Sequence, residues 1–347
     1  MDEVLVTGGA GFIGRHLALL LHHQGYQVTA LDRVGDANAA HGRQHLESEG
    51  IAVVEGSTGD QALMRRLVRG HRVVVHLAAP IVGVQQNLRT PGSQADALHD
   101  ATVLASMLTV EHRLLFSSTS DVYGLHSVHY GDKPMAEDDL TVYESPSVSR
   151  WNYAKAKALS ESVFACSAAR TVSVRIFNAY GPGLDYPQAR RVIAQFVTAV
   201  FAGQPLRISG SGGQRRAYCY ISDLVDGIGL ALGHAANLPV GGNLAVNLGN
   251  PDEYVSVHDL ARLVCDLAVG GGFVAEAPAI ERSAYTYSEP FDDTWSRRPD
   301  ITRARRLLGY EPSMGLHEGI TRVLGFHAAR TSAPTEPWNK EPSPWRL

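Results

Sequence analysis

Four residues of types that move protons stand close in the sequence. Thr119 and Asp121 lie two apart in Ser117-Ser118-Thr119-Ser120-Asp121-Val122-Tyr123-Gly124, and Tyr153 and Lys157 lie four apart in Arg150-Trp151-Asn152-Tyr153-Ala154-Lys155-Ala156-Lys157. A spacing of four sets Tyr153 and Lys157 on one face of a helix. An ammonium beside a phenol stabilises the phenolate and lowers the tyrosine pKa, which makes a base usable near neutral pH. The same lysine can hold a nicotinamide ribose. Thr119 ends a predicted strand, where open α/β sheets place ligands, and its hydroxyl can bond a substrate oxygen. Each residue alone also fits an ordinary turn or helix surface; for Asp121 the plain alternative is a turn residue that satisfies backbone N–H groups.

A hydride acceptor would complete such a site, and the N-terminus carries the signal for one. Gly9-Ala10-Gly11-Phe12-Ile13-Gly14 fits G-x-G-x-x-G, and Gly8, Gly11 and Gly14 fit G-x-x-G-x-x-G. The run follows one predicted strand, opens a helix, and is followed by Asp32 at the end of the second strand. Missing side chains let the backbone approach a pyrophosphate, which free N–H groups at the helix start stabilise. Asp32 would accept hydrogen bonds from the adenosine ribose and repel a 2′-phosphate. NAD is therefore expected rather than NADP, although Arg33 and Arg15 are of the type that attracts that phosphate. The plain alternative is a tight β-α turn that binds nothing.

The elements that must position these groups follow from apolar runs. "EVLVTG", "QVTALD", "IAVVEG", "VVVHLA" and "RLLFSS" alternate with helical patterns, including residues 15–24 and 95–109. Short apolar strands separated by helices imply βαβ units and a parallel sheet covered on both faces. The fold class is α/β: a doubly wound Rossmann domain over 1–175, then a smaller, mainly substrate-binding α/β region over 176–330. A helix is expected near 316–328, and the proline-rich tail over 331–347 is expected to be flexible.

Several motifs in order resemble the extended short-chain dehydrogenase/reductase family, specifically its NAD-dependent nucleotide-sugar epimerases, dehydratases and decarboxylases. They are "TGGAGFIG" (7–14), Asp32, "HLAA" (76–79), "SSTSDVYG" (117–124), Tyr153 with Lys157, "RIFNAYGPG" (175–183), "GQRRAYCYISDL" (213–224), "NLG" (247–249) and "RRPDITRARRLLGYEP" (297–312), which together span Val4 to about Arg322. The resemblance implies that Tyr153 takes a sugar hydroxyl proton while hydride passes to NAD, with Thr119 assisting and Lys157 positioning tyrosine and cofactor. It places Gly8, Gly11, Phe12, Ile13, Gly14, Asp32, Arg33, Ser57, Leu77, Ala78, Ala79 and Ser117 around NAD. It places Ser118, Thr119, Ser120, Asn178, Arg216 and Arg297 around a nucleotide-diphosphate sugar, the two arginines suiting phosphate because a planar fork makes two-point contacts. The alternative for Arg216 and Arg297 is a solvated surface charge.

Oxidation at C4 makes the C5–H acidic, and three outcomes branch there: epimerisation, loss of a C6 carboxylate, or elimination of water. Dehydratases of the family carry Thr-Asp-Glu at the branch point and uridine-diphosphate-glucuronate decarboxylases carry Thr-Ser-Glu. This chain has Thr119-Ser120-Asp121, so the dehydratase acid is absent and the glutamate position holds an aspartate one methylene shorter. The decarboxylases also share the "RW" before Tyr153 and an "RxPD"-like stretch at Arg297. Relatives have Gly-Asp where this chain has Gly56-Ser57, which weakens or alters a contact near adenine. Those with a similar "VGV" (82–84) and "SRW" (149–151) have Asn-Val-x-Gly-Thr where it has Leu98-His99-Asp100-Ala101-Thr102, a sign of a divergent substrate pocket. With an intact Thr119, Tyr153 and Lys157 but no acid pair, the expected activity is a 4-epimerase, with decarboxylase and then dehydratase as alternatives. A catalytically silent dinucleotide sensor on the same fold is the non-enzymatic alternative.

Composition agrees with a small-molecule enzyme. The 347 residues are 44% hydrophobic, enough for a large core in one or two interleaved domains, and a net charge of −4 gives no footprint for nucleic acid. Cys166, Cys219 and Cys265 lack disulfide or metal spacing and read as reduced thiols, and no metal site is expected among the fifteen histidines. The expectation is a cytoplasmic protein without signal peptide or membrane span. The family further suggests a homodimer through helices near 95–109 and 151–168.

Overall fold

The computed structural model describes residues 2–33, 35, 37–79, 92–184, 191–284 and 294–332. Seven strands form one parallel sheet: β1 (Glu3–Thr7), β2 (Gln27–Asp32), β3 (Ala52–Glu55), β4 (Val73–His76), β5 (Arg113–Thr119), β6 (Arg170–Ile176) and β11 (Asn243–Leu248). Their order is β11-β6-β5-β4-β1-β2-β3, so the chain reverses its direction of travel between β1 and β4. That reversal opens a crevice at the carboxyl ends of the central strands, the place where such sheets bind ligands.

The apolar runs read as strands because both sheet faces are buried. Val4 and Val6 of β1 join one core cluster and Leu5 the other; Val73 and Val75 likewise oppose Val74. Period-two alternation thus sorts continuous apolar runs into two cores. The glycine loop runs straight into α1 (Phe12–His23), earlier than the expected start near residue 15, because Gly11 already serves as its N-cap. The segment expected as a helix at 95–109 is α4 (Gly92–Met107), packed against α6 (Asn152–Ala165), the helix of Tyr153 and Lys157.

β11 comes from the stretch expected to be mainly substrate-binding, yet it is the edge strand of the large sheet, paired with β6 from Asn243↔Thr171 to Leu248↔Ile176. The two regions therefore interleave. The remaining short strands matter for what they carry. β9 (Arg215–Ala217) pairs antiparallel with β12 (Tyr254–Ser256) and parallel with the two-residue β14 (Ser296–Arg297). The final helix, α11, runs Leu316–Ser332, and the rest of the proline-rich tail lies outside the described residues, as does the "VGV" stretch at 82–84. No helix among the described residues is long and apolar enough to cross a membrane.

Candidate active site

One cleft of about 900 Å³ opens at the carboxyl ends of β1, β4 and β5, and every residue that the family resemblance places around cofactor or substrate lines it, as does Asp121; Gly9 and the buried Arg15 are not among its lining. At its inner end the glycine loop is packed backbone to backbone. Gly8 sits at φ +70°, and a Cβ there would lie 2.9 Å from the Ala78 backbone nitrogen. A Cβ on Gly14 would meet the Gly8 carbonyl oxygen at 2.0 Å, so the turn closes only with hydrogen at that position. Asp32 ends β2 and accepts from the Ala10 N–H at 2.9 Å and the Arg33 N–H at 2.8 Å. Burial pushes its carboxyl above the ordinary range, and these backbone donors pull the other way. A bare glycine cradle with an acidic residue at the next strand end fits a dinucleotide. Leu77, Ala78 and Ala79 follow β4, and Ser57 follows β3, on the same wall.

Lys157 is buried in the cleft floor, where its Nζ donates to the Ser117 carbonyl at 2.7 Å and lies 4.6 Å from the Phe116 ring centroid. Burial lowers its pKa to about 7, against the opposing charge of Glu161 one turn along α6. Tyr153 is pushed well above the ordinary phenol range by burial and by the Asp121 charge, while a hydrogen bond with Thr119 and the Arg191 charge act the other way. The spacing led us to expect a lysine that lowers the tyrosine pKa. Here the ammonium is turned toward β5, and Thr119 and Arg191 favour the phenolate instead. The physical reason is the depth of the site: loss of water raises the one group and lowers the other more than their mutual spacing in sequence can reveal.

After β5 the chain turns through a single 3-10 turn, Ser120–Tyr123, with Thr119 as its N-cap; the Thr119 hydroxyl oxygen accepts from the Asp121 N–H at 3.2 Å. The cap leaves the Asp121 carboxylate free of the backbone, and it points at guanidinium groups. Arg297 Nη2 lies 2.7 Å from Asp121 Oδ1, and Arg150 Nη2 lies 4.0 Å from the same oxygen. Burial alone would raise the Asp121 pKa. The charges of Arg297, Arg150 and Arg216 outweigh it and hold the carboxyl below its usual range.

Arg216 and Arg297 reach one place because β9 and β14 pair in register, Arg297 opposite Arg216; facing residues of neighbouring strands project to the same side. Neither is a solvated surface charge: both line the cleft, and Arg297 is buried. Arg216 donates to the Arg215 carbonyl at 2.9 Å, and Asn178 donates to the Ala217 carbonyl at 2.9 Å. Ser117 donates to the His76 carbonyl at 3.2 Å, Ser118 donates to Glu161, and Ser120 is buried under the turn.

Arg150, which the sequence singles out only as part of the "RW" shared with the decarboxylases and with no role of its own, also lines the cleft. Its guanidinium stacks 4.6 Å from the centroid of Trp151, which is fully buried and donates its indole N–H to Glu144 at 2.8 Å. The signal was present: Arg150 stands three residues before Tyr153 where a 3-10 turn runs into α6, so the two share a face. Arg191, which lines the cleft near Tyr153, carried no such signal.

A doubly wound sheet whose switch-point cleft joins a glycine cradle to a Thr, Tyr and Lys cluster defines a dinucleotide-dependent enzyme of the extended short-chain dehydrogenase/reductase type. The family model described as the NAD dependent epimerase/dehydratase family matches residues 4–249, and the chain belongs to that family. Its cofactor is NAD. The chain is 32% identical over 92% of its length to a UDP-N-acetyl-alpha-D-glucosaminuronate decarboxylase of Bacillus cytotoxicus, covering 96% of that protein. It is 30% identical over 93% of its length to UDP-glucuronic acid decarboxylase 1 of Xenopus tropicalis, covering 72% of it. Among solved structures, the UDP-glucose 4-epimerase of Thermotoga maritima with UDP-glucose matches at TM-score 0.75 and 25% identity, over 95% of this chain and 99% of that one.

Proposed function

We propose that the protein is an NAD-dependent decarboxylase acting on a nucleotide-diphosphate sugar that carries a carboxylate at C6. The observation that carries this reading is the ionised Asp121 carboxylate set among Arg297, Arg150 and Arg216. A dehydratase needs an acid that gives a proton to a departing hydroxyl; Ser120 stands at that acid's position, and the neighbouring Asp121 carboxyl, held below its usual range, is a poor donor in its place. Three guanidiniums facing one carboxylate leave positive charge for a diphosphate and for a second carboxylate on the substrate. The names of the relatives support the same outcome, and they favour it over the 4-epimerase expected from sequence.

The glycine loop, Asp32 and Lys157 would hold NAD, which when bound supplies a reversible hydride acceptor for the sugar C4. Tyr153, acting as the phenolate that the Thr119 hydrogen bond and the Arg191 charge favour, takes the C4 hydroxyl proton. A C4 ketone makes the C6 carboxylate part of a β-keto acid. The C5–C6 bond then breaks, its electron pair forms the C4–C5 double bond of an enolate with its charge on the C4 oxygen, and carbon dioxide leaves; C5 takes a proton to restore the ketone, and return of the hydride to C4, with a proton from Tyr153 to the oxygen, would give the pentose. Tyr153 and Thr119 are placed to stabilise the enolate oxygen. Arg216 and Arg297, with Asn178, bind the diphosphate.

Incubation with uridine-diphosphate glucuronate and its 2-acetamido analogue tests the proposal, and a pentose product lacking C6 is the expected result. A product of unchanged mass with inverted C4 would instead establish the epimerase reading, which needs the same Thr119, Tyr153 and Lys157 and is supported by the resemblance to the UDP-glucose 4-epimerase. A product lighter by one water would establish the dehydratase. A homodimer belongs to the same proposal, with α4 and α6 as its contact; Leu159 on α6 is 51% exposed, which a second copy would cover.

A further inference from the structure

The cleft has two sides that must act together: the oxidation side, on β5 and α6, and the arginine side, on β9 and β14. A chain of buried polar groups joins them behind the cleft wall. Glu161, one helical turn after Lys157, accepts from the Ser118 hydroxyl and from Arg175, whose Nη2 and Nε reach its carboxylate at 2.8 and 3.1 Å. Arg175 Nη1 donates to the Tyr123 hydroxyl at 3.1 Å. Tyr123 is fully buried and donates to Asn247 Oδ1 at 2.7 Å. Asn247, also fully buried, donates from Nδ2 to the Met135 carbonyl at 2.9 Å and the Asp300 carbonyl at 3.0 Å. Met135 in turn accepts from the Asp300 N–H at 2.8 Å and donates to the Arg298 carbonyl at 2.8 Å. The chain therefore runs from Ser118, next to Thr119, to the segment that begins at Arg297.

We infer that Glu161 is a positioning residue of this enzyme: paired with Arg175, it fixes the strand end that carries Ser118 and Thr119 and, through Tyr123 and Asn247, registers the Arg297 segment against it. Three features set it apart from a core ion pair. It is bonded on both flanks, to β5 through Ser118 and to β6 through Arg175. Tyr123, its relay, belongs to the same 3-10 turn as Asp121, so the network grips the branch-point carboxylate from behind. Glu161 also supplies the negative charge facing the buried Lys157 ammonium; from β4, His76 faces the same ammonium but burial keeps its ring neutral, with its pKa lowered to about 3, and Tyr153 shares its helix face. A fully satisfied buried network of this kind specifies one geometry, because any partial arrangement strands a polar group.

The inference uses the decarboxylase reading for its turnover assay and needs only NAD for its second readout. Glu161→Gln keeps the shape and removes the charge. We expect kcat to fall at least tenfold with KM within threefold. The alkaline limb of the pH profile, both for turnover and for NAD affinity by calorimetry without sugar, moves at least half a pH unit lower, since Lys157 loses the charge that retains its proton. Tyr123→Phe removes one hydroxyl from the middle of the chain without touching the cleft; kcat/KM falls at least fivefold while NAD affinity stays within twofold. A Glu161→Gln protein with kcat within twofold of wild type, or with both pH profiles superimposed on it, overturns the inference. Should Glu161→Gln fail to fold, a Tyr123→Phe enzyme of wild-type kcat/KM overturns it alone. If wild type turns over no uronate, the decarboxylase reading fails, and an unshifted pH dependence of NAD binding in Glu161→Gln still overturns the positioning role.

Discussion

Asp121→Asn removes one negative charge from among three arginines and changes little else, and its consequences can be worked from the geometry. The Asp121 carboxylate and the Arg297 guanidinium are both largely buried and 2.7 Å apart, so the variant leaves a buried cation without its partner. Breaking such a pair from one side costs about 3–5 kcal/mol, and the lower end applies because the amide oxygen can still accept from arginine. At about 2.1 cal/mol/K per residue, unfolding a chain of 347 residues carries roughly 0.7 kcal/mol/K, so Tm falls by about 4 °C. Binding of a nucleotide diphosphate moves in the opposite direction. In wild type Arg297 must leave Asp121 to reach a phosphate, giving up a largely buried ion pair at a cost of about 2–5 kcal/mol. The variant is spared that step, so uridine diphosphate should bind about tenfold tighter or more. Calorimetry with uridine diphosphate, together with thermal melts with and without it, reads both effects. The reasoning is refuted if Tm stays within a degree of wild type and the nucleotide binds equally well or more weakly.

Other expectations follow from the same cleft. Tyr153→Phe should lower kcat by roughly 10²–10⁴-fold, the span of general acid–base catalysis, with NAD affinity kept; unchanged turnover would remove Tyr153 from the proton-transfer role. Gly14→Ala should abolish NAD binding in a titration of cofactor fluorescence, because its Cβ collides with the Gly8 carbonyl. Lys157 binds a proton in the unfolded chain up to the ordinary lysine pKa but in the folded chain only up to about 7. Across that window the unfolded state holds more protons, so wild type gains stability as pH rises, by at most about 1.4 kcal/mol per unit. Denaturant melts of Lys157→Met should lack that increment, and parallel pH curves would contradict the assigned burial. Arg150→Met should slow carbon dioxide release while leaving uridine diphosphate affinity within threefold; equal losses in both would assign Arg150 to the diphosphate instead.

What the sequence showed and hid divides by the range of the interactions. The strand runs, the glycine loop and the Tyr153–Lys157 spacing are local patterns of period two or 3.6, and a reader of the chain can place them. The facing of Arg216 and Arg297 depends on a two-residue strand paired with β9 some eighty positions earlier, and no local pattern announces that pairing. The same holds for the direction of the Lys157 ammonium, which depends on Ser117 forty positions earlier on β5, and for the Glu161 to Asn247 network, whose members lie on four separate elements. Asp121 shows both sides. Its type and position marked it as a branch point, but its company of guanidiniums, which turned the reading from epimerase toward decarboxylase, appeared only when the chain was folded.

The central claim is the fate of C6. Wild-type protein given NAD and uridine-diphosphate glucuronate, or the 2-acetamido analogue, labelled with carbon-13 at C6 should release labelled carbon dioxide, followed by membrane-inlet mass spectrometry, in step with substrate loss. Label retained in a nucleotide sugar with inverted C4 or a C4 ketone would contradict the account.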